Sequence, residues 1–179
     1  REKLLDSGNA EKVRERHFNY FWQMVQQSKL EFYGPKELRW LVWLESEWDN
    51  IRAAVEWSFE KRSQDGLDLV NCLGHLLYDN WHVSDMENWL SSLLSRTENS
   101  ARTASRALGL LHWVQTITIG ALNVHTFSLH TPLIEEGTSI YNELGDKNGL
   151  AHAFQLKGYV YAWMGEPQTG SPFLEKAIA

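Results

Sequence analysis

Large apolar side chains recur every third or fourth residue through the stretch 34–60, GPKELRWLVWLESEWDNIRAAVEWSFE. Leu41, Leu44, Trp48, Ile51, Val55 and Ser58 fall on one stripe of a helix, and Trp40, Trp43 and Trp57 widen it. No Gly or Pro interrupts the run after Pro35, so the spacing predicts one long central helix covered on more than one side. Gly34 is placed to end the helix before it. Pro35 is placed at the first helical position, where its missing N–H would be unsatisfied anyway.

The same period runs in both directions from that stretch. A helix is expected from Asn9, capped by that residue, with Val13, His17, Tyr20 or Phe21, Met24 and Ser28 on one face. KRSQDG (61–66) reads as a break, and the next helix, from Leu67 to about Tyr78, groups Leu69, Cys72, Leu73, Leu76 and Leu77. After a turn at 80–83, Ser84 and Glu87 have the spacing of a capping box, opening a helix with Trp89, Leu90, Leu93 and Leu94. Asn99 or Ser100 is expected to start a fifth. Nothing alternates at period two for long enough to make a sheet, and the strand-like Thr116–Ile119 lies inside a helical pattern. The fold class is all-α.

From Leu110 the chain repeats itself. Leu110-Leu-His112-Trp-Val-Gln115 aligns with Leu150-Ala-His152-Ala-Phe-Gln155, and Thr131-Pro-Leu-Ile-Glu135-Glu-Gly137 with Ser171-Pro-Phe-Leu-Glu175-Lys-Ala177. The period is 40 residues, from His112 to His152 and again from Pro132 to Pro172. Each copy is a helix, a turn and a helix, a unit that buries its apolar face by stacking on its neighbour. In the second copy, Phe154, Gly158, Tyr161, Gly165, Gly170 and Leu174 resemble the tetratricopeptide pattern. The first copy departs from it: Thr118 stands in place of the close-approach Gly and His130 in place of a small residue, so its helices are expected to pack less tightly. In the connector, Gly145 is read as a left-handed helix end and Asp146 as the next cap. The predicted architecture is antiparallel helix pairs stacked into a tetratricopeptide-like right-handed superhelix, with a HEAT-like α-solenoid as the alternative. Residues 1–100 are read as N-terminal helical hairpins and 101–179 as the two repeats.

Composition narrows the function. Nine Trp, each able to bury roughly 150–250 Å², permit a large core that is not Leu-rich. Residues 1–62 hold 11 Lys and Arg against 11 Asp and Glu, whereas 63–179 hold 6 against 12, so no basic face is offered to nucleic acid. The acidic part would suit a basic peptide or cationic ligand, or be a solvated surface. A single cysteine, Cys72, allows neither a disulfide framework nor a thiolate metal site. No leader and no apolar run of roughly 18 residues occurs, so a cytoplasmic protein with no membrane partner is expected. The chain opens on Arg1 rather than Met and stops inside a helical pattern, which predicts a fragment of something longer.

Arg16-His17, Tyr20-Phe21, Gly34-Pro35, Trp40-Leu41, Leu44-Glu45 and above all Glu47-Trp-Asp49-Asn50-Ile-Arg52-Ala-Ala54 resemble a known region. It is the helical region that follows the nucleotide-binding module in bacterial STAND-type regulators, multidomain signalling proteins with NB-ARC-like ATPase cores, of LuxR-type and cyclase-linked kinds. The repeats are similar to the tetratricopeptide arrays of the same proteins. The resemblance covers nearly the whole chain. It implies an effector-sensing or scaffolding array that restrains or releases an upstream ATPase. The chain itself carries no G-x-x-x-x-G-K-[ST], hence no nucleotide site, and no cofactor is expected.

His112, Gln115, His152 and Gln155 recur on one face of the first helix in each copy. By analogy with tetratricopeptide arrays, that face and Tyr159 line a concave groove for a partner protein or peptide, or for the upstream ATPase; the alternative is solvated helix positions preserved by duplication. Glu47, Asp49, Asn50 and Arg52 are read as an interdomain or structural motif. Its members either contact the preceding domain or the turn carrying Trp81, or pair locally, Asp49 with Arg52 and Asn50 with a backbone group. His75 with His82, and His125 with His130, lack the i, i+4 spacing of a zinc pair, and no nucleophile elbow or carboxylate dyad is present. The function predicted is a non-catalytic interaction module of a signal-transducing ATPase or transcriptional regulator. A small-molecule sensor using the same groove is the alternative, and a histidine-based metal hydrolase a distant third.

Overall fold

The computed structural model describes residues 9–74, 76, 82–96, 99–120 and 127–178, and every regular element among them is helical. The chain divides between His75 and Leu76 into two compact units. Helices α1 (Ala10–Glu31), α2 (Glu37–Lys61) and α3 (Ser63–Leu73) belong to the first. The second holds α4 (Val83–Leu94), α5 (Ala104–Gly120), α6 (Phe127–Leu144), α7 (Lys147–Trp163) and α8 (Pro167–Ile178).

In the first unit the three helices pack pairwise around α2. The stripe read from its sequence is buried: Leu44, Trp48, Ile51, Val55 and Ser58, joined by Trp40, with Leu41 half-buried. Its start differs from expectation. Pro35 sits in the turn 32–36 rather than at the first helical position, and Gly34 does not take a left-handed φ. The turn is held from outside, because the Glu31 carboxylate accepts from Trp40 Nε1 at 2.9 Å and from Lys36 Nζ at 3.1 Å. The Trp40 bond first, and Lys36 second, hold that carboxyl below the usual carboxylate range. On α1 the buried face is Phe18, Phe21, Val25 and Ser28, whereas Val13 and Tyr20 face solvent. The stripe is rotated from the expected one because full burial of a Phe is worth about 1.5–3 kcal/mol, more than His17 next to it can return. Asn9 precedes the helix but forms no side-chain cap bond.

The break before α3 is one residue wide. Only Arg62 leaves the helical conformation (φ −151°), so α3 starts at Ser63 instead of Leu67. Its guanidinium donates to Asn19 Oδ1 and Asp65 Oδ2, each at 2.5 Å, and lies 4.9 Å from the Phe18 ring centroid. Leu69 and Leu73 are buried as the pattern requires, Cys72 is half-buried with its thiol pKa pushed up by burial, and Leu77 lies outside the described residues.

In the second unit, α4 buries Trp89, Leu90, Leu93 and Leu94. The capping box does not form: His82, at φ 47°, takes the cap position without a side-chain cap bond, so Ser84 falls inside the helix. Helix α5 starts later than Asn99 or Ser100, at Ala104, where Thr103 Oγ1 accepts from Arg106 N–H at 3.1 Å. Asn99 is buried instead, donating to Leu93 O at 2.8 Å.

The two copies of the sequence repeat are two antiparallel pairs. In α5–α6, Arg102 meets Glu143, Arg106 meets Glu136, and Gly137 faces Ala107 and Leu111. In α7–α8, Tyr161 stacks on Phe173, and Lys176 lies over Phe154. There the helices cross at two glycines: a Cβ on Gly170 would stand 2.6 Å from Gly158 O, and one on Gly158 2.5 Å from Leu174 Cδ2. In the first pair Thr118 Oγ1 turns back to Val114 O, His130 is buried, and the glycine contact moves to Gly137, whose Cβ would lie 3.3 Å from Ala107 O. The connector between the pairs forms as read. Gly145 has φ 66°, Asp146 N–H returns to Tyr141 O at 3.0 Å, and Asp146 Oδ1 caps Gly149 N–H at 3.0 Å. The same closure recurs inside the second pair, with Gly165 at φ 81° and Glu166 N–H bonded to Tyr161 O at 3.0 Å.

Candidate functional site

Stacking of one pair on the next decides which repeat residues remain accessible. Helix α7 runs antiparallel to α6, with Tyr141 against Gly149 and Glu135 3.9 Å from Lys157. It therefore runs parallel to α5, and the imidazoles of His112 and His152 meet with ring centroids 6.3 Å apart. This contact covers the first copy: His112 is 7% exposed and Gln115 9%. Of the expected groove residues, His112 thus lies in the interface between pairs, and Gln115 is likewise buried.

The other three do line a groove. It is an open cleft of about 610 Å³ between α7 and α8, formed by His152, Gln155 and Tyr159 from one side and Ser171, Leu174, Glu175 and Ile178 from the other, with Asn148 and Ala151 at the α7 start. Tyr159 is 44% exposed, and its hydroxyl accepts from Gln155 Nε2 at 3.4 Å. Burial pushes the His152 pKa down, which favours a neutral imidazole. Glu175 has no cationic partner among the described residues. The cleft thus combines an apolar floor, a neutral hydrogen-bonding ring and one carboxylate.

Reasoning from one helix face missed the α8 half of this groove. The signal was available in the repeat itself, since Glu175 is the counterpart of Glu135, but the exposure of each depends on what covers it. On α2, Asp49 and Asn50 are exposed and Glu47 and Arg52 half-buried, and the four bond within the motif. Arg52 Nη1 donates to Asp49 Oδ1 at 3.2 Å, and Asn50 Nδ2 donates to the Glu47 side chain at 2.7 Å rather than to a backbone group. Trp81, His75 and His125 lie outside the described residues. His130 is buried, and burial lowers its pKa. Among the described residues no group of three or more His, Cys, Asp or Glu is placed to hold a metal ion, and no helix is long and apolar enough to cross a membrane.

No protein-family profile matches the chain, and no solved structure does. Three curated proteins do, one from Mycobacterium bovis and two from strains of Mycobacterium tuberculosis, each named "Putative HTH-type transcriptional regulator". Each is 27% identical over 167 residues, covering 88% of this chain and 18% of its own length. The chain therefore spans less than a fifth of the curated relatives it matches.

Proposed function

We propose that this chain is a non-catalytic, helical-repeat interaction module of a larger transcriptional regulator, and that the α7–α8 groove receives its partner. The observation that carries the reading is the register of the repeat. His112 and Gln115 of the first copy are buried, while their counterparts His152 and Gln155 are half-buried and line the α7–α8 cleft beside Glu175, which has no cationic partner among the described residues. The names of the mycobacterial relatives support a regulatory setting. The Glu-x-Asp-Asn-x-Arg-Ala-Ala stretch at 47–54 supports a STAND-type regulator, in which the partner is another protein or the ATPase core of the same chain.

A photo-crosslinking residue at Tyr159, expressed in the protein's host, tests this. A discrete protein or peptide adduct is expected at 159 and not at Lys12, an exposed position on α1. Adducts indistinguishable between the two positions would overturn the reading. A second reading, sensing of a small molecule, is favoured by the volume of the cleft, which falls in the ~300–1,000 Å³ range of ligand pockets. Native mass spectrometry of the purified chain would then show a retained compound that Tyr159→Ala releases.

A further inference from the structure

His130 is buried on α6 with no hydrogen bond to hold it. Its side chain is 4% exposed, and neither Nδ1 nor Nε2 has a hydrogen-bond partner among the described residues. A polar group left unbonded in the interior is destabilising, and a charge added to it is more so. The repeat shows what the position tolerates elsewhere. Forty residues later stands Gly170, where a Cβ would lie 2.6 Å from Gly158 O, so the second pair leaves no room there for a side chain. The first pair admits an imidazole at that place, with Thr118 instead of Gly158, and makes its glycine contact two turns along at Gly137.

Among the described residues no charged group compensates a proton on this ring. The helices packed against α6 are α5 and α7. On α6, Glu136 pairs with Arg106 of α5 at 2.7 Å, Glu143 grips Arg102, and Glu135 lies 3.9 Å from Lys157 of α7. The other titratable side chains of the three helices are His112 and His152, which touch each other, with Tyr141, Lys147, Tyr159 and Tyr161. None of them moves the His130 pKa, which burial alone lowers.

Pro132 supplies the joint. It stands inside α6 and has no N–H to give the carbonyl four residues before it, so the helix end at 127–131 is tied to the rest by one bond fewer. Helix α8 repeats the proline at Pro172, but carries Gly170 where α6 carries the histidine. We propose that residues 127–131 of α6 form an acid-operated latch: a proton on His130 releases this end of the helix from α5, while α6 beyond Pro132 stays packed. Once the end opens, an imidazole lone pair takes its proton from water, and the charge keeps the ring out of the core. The open state titrates at the ordinary histidine value of about 6.5, and the closed state lower. Acidification through that range therefore raises the opening constant by up to about tenfold per pH unit, and the rise ends below the closed-state value.

Hydrogen exchange of the 179-residue chain at pH 7.5 and pH 5.5, corrected for the intrinsic rates, tests this. The amides of 131 and 133–135 report the latch, because their helical acceptors are the carbonyls of 127 and 129–131. Their protection is expected to fall at least about threefold at the lower pH. Protection at 138–144, and at 171 and 173–175 of the sister helix, should hold. In His130→Phe, which fills the site but takes no proton, the acid effect should vanish; His130→Leu gives the same comparison if the larger ring unfolds the chain. Equal protection of the wild-type latch at both pH values would overturn the proposal, as would the same acid loss in a folded variant. A loss spread evenly along α5 and α6 would overturn it in favour of global destabilisation. A loss that His152→Gln removes and the His130 variants do not would assign the effect to the His112–His152 contact, and overturn it too.

Discussion

His112 and His152 touch edge to face, with ring centroids 6.3 Å apart, although a full repeat of sequence separates them. The contact places α5 and α7 in parallel register, and it puts an imidazole where burial disfavours charge. The His152 pKa is lowered by that burial. A histidine depressed in the folded state takes up its proton more readily when unfolded, so the unfolded chain binds more protons as pH falls past the ordinary histidine value. Stability is therefore expected to decline as pH falls through the ordinary histidine value of about 6.5, and to level off below the folded-state pKa. His130, also lowered by burial, acts in the same direction. Thermal unfolding at a series of pH values checks this; His152→Gln should flatten the curve, and an unchanged slope in that variant would exclude the assignment.

The Tyr141 ring covers Gly149 so closely that a methyl group there would fall inside it. Gly149→Ala is expected to destabilise by about 1–3 kcal/mol through overpacking, although alanine is intrinsically the better helix former by about 1 kcal/mol. Burial, with Asp146 nearby, pushes the Tyr141 pKa up to about 12. Ultraviolet titration of the phenols should find one group ionising late in the native protein, and Gly149→Ala should bring it back toward the others.

Asp146 caps the helix that carries the groove. Asp146→Ala removes its bond to Gly149 N–H and is expected to cost about 1 kcal/mol. Hydrogen exchange read at α7 should rise in the first turn, at residues 147–150, before any change appears in α1.

Arg106 joins three places in the second unit. It donates to Glu136 at 2.7 Å, to Leu94 O at 3.2 Å and to Asn99 O at 3.0 Å, with only 16% of its side chain exposed. Arg106→Ala leaves partners unpaired in a half-buried setting and should cost about 1–3 kcal/mol by urea denaturation. Arg102, which grips Glu143 at the surface, should matter less, and what it contributes should vanish in molar salt.

Arg62 does comparable work in the first unit, where it replaces a loop with a single non-helical residue. Arg62→Ala should lower the unfolding midpoint, and Arg62→Lys should recover little of the loss, because an ammonium cannot span Asn19 and Asp65 while lying flat on Phe18. Equal stability of the Ala and wild-type chains would show that the break is set by the backbone alone.

Period and repeat were legible without coordinates. The stripe of α2, the Leu and Trp positions of α4, the 40-residue copy, and the closure at Gly145 and Asp146 all follow from local rules: apolar spacing, and the short reach of a cap or a left-handed glycine. The helix starts were less legible. Pro35, Ser84 and Asn99 each carry a valid start signal, yet the chain begins its helices elsewhere, because Glu31 bonds Trp40 and Lys36, His82 adopts φ 47°, and Asn99 bonds Leu93 O. The Glu31 and Asn99 bonds reach beyond a turn and outweigh local preferences worth about 1 kcal/mol, while at His82 the left-handed backbone sets the start. The groove was legible only in part. Sequence by itself determined that His112 and His152 are equivalent; the tertiary structure decided that His112 is buried while His152 is half-buried and lines the cleft. The physical reason is that burial depends on the neighbouring helix, and the packing of α7 against the first copy brings the two imidazoles into contact.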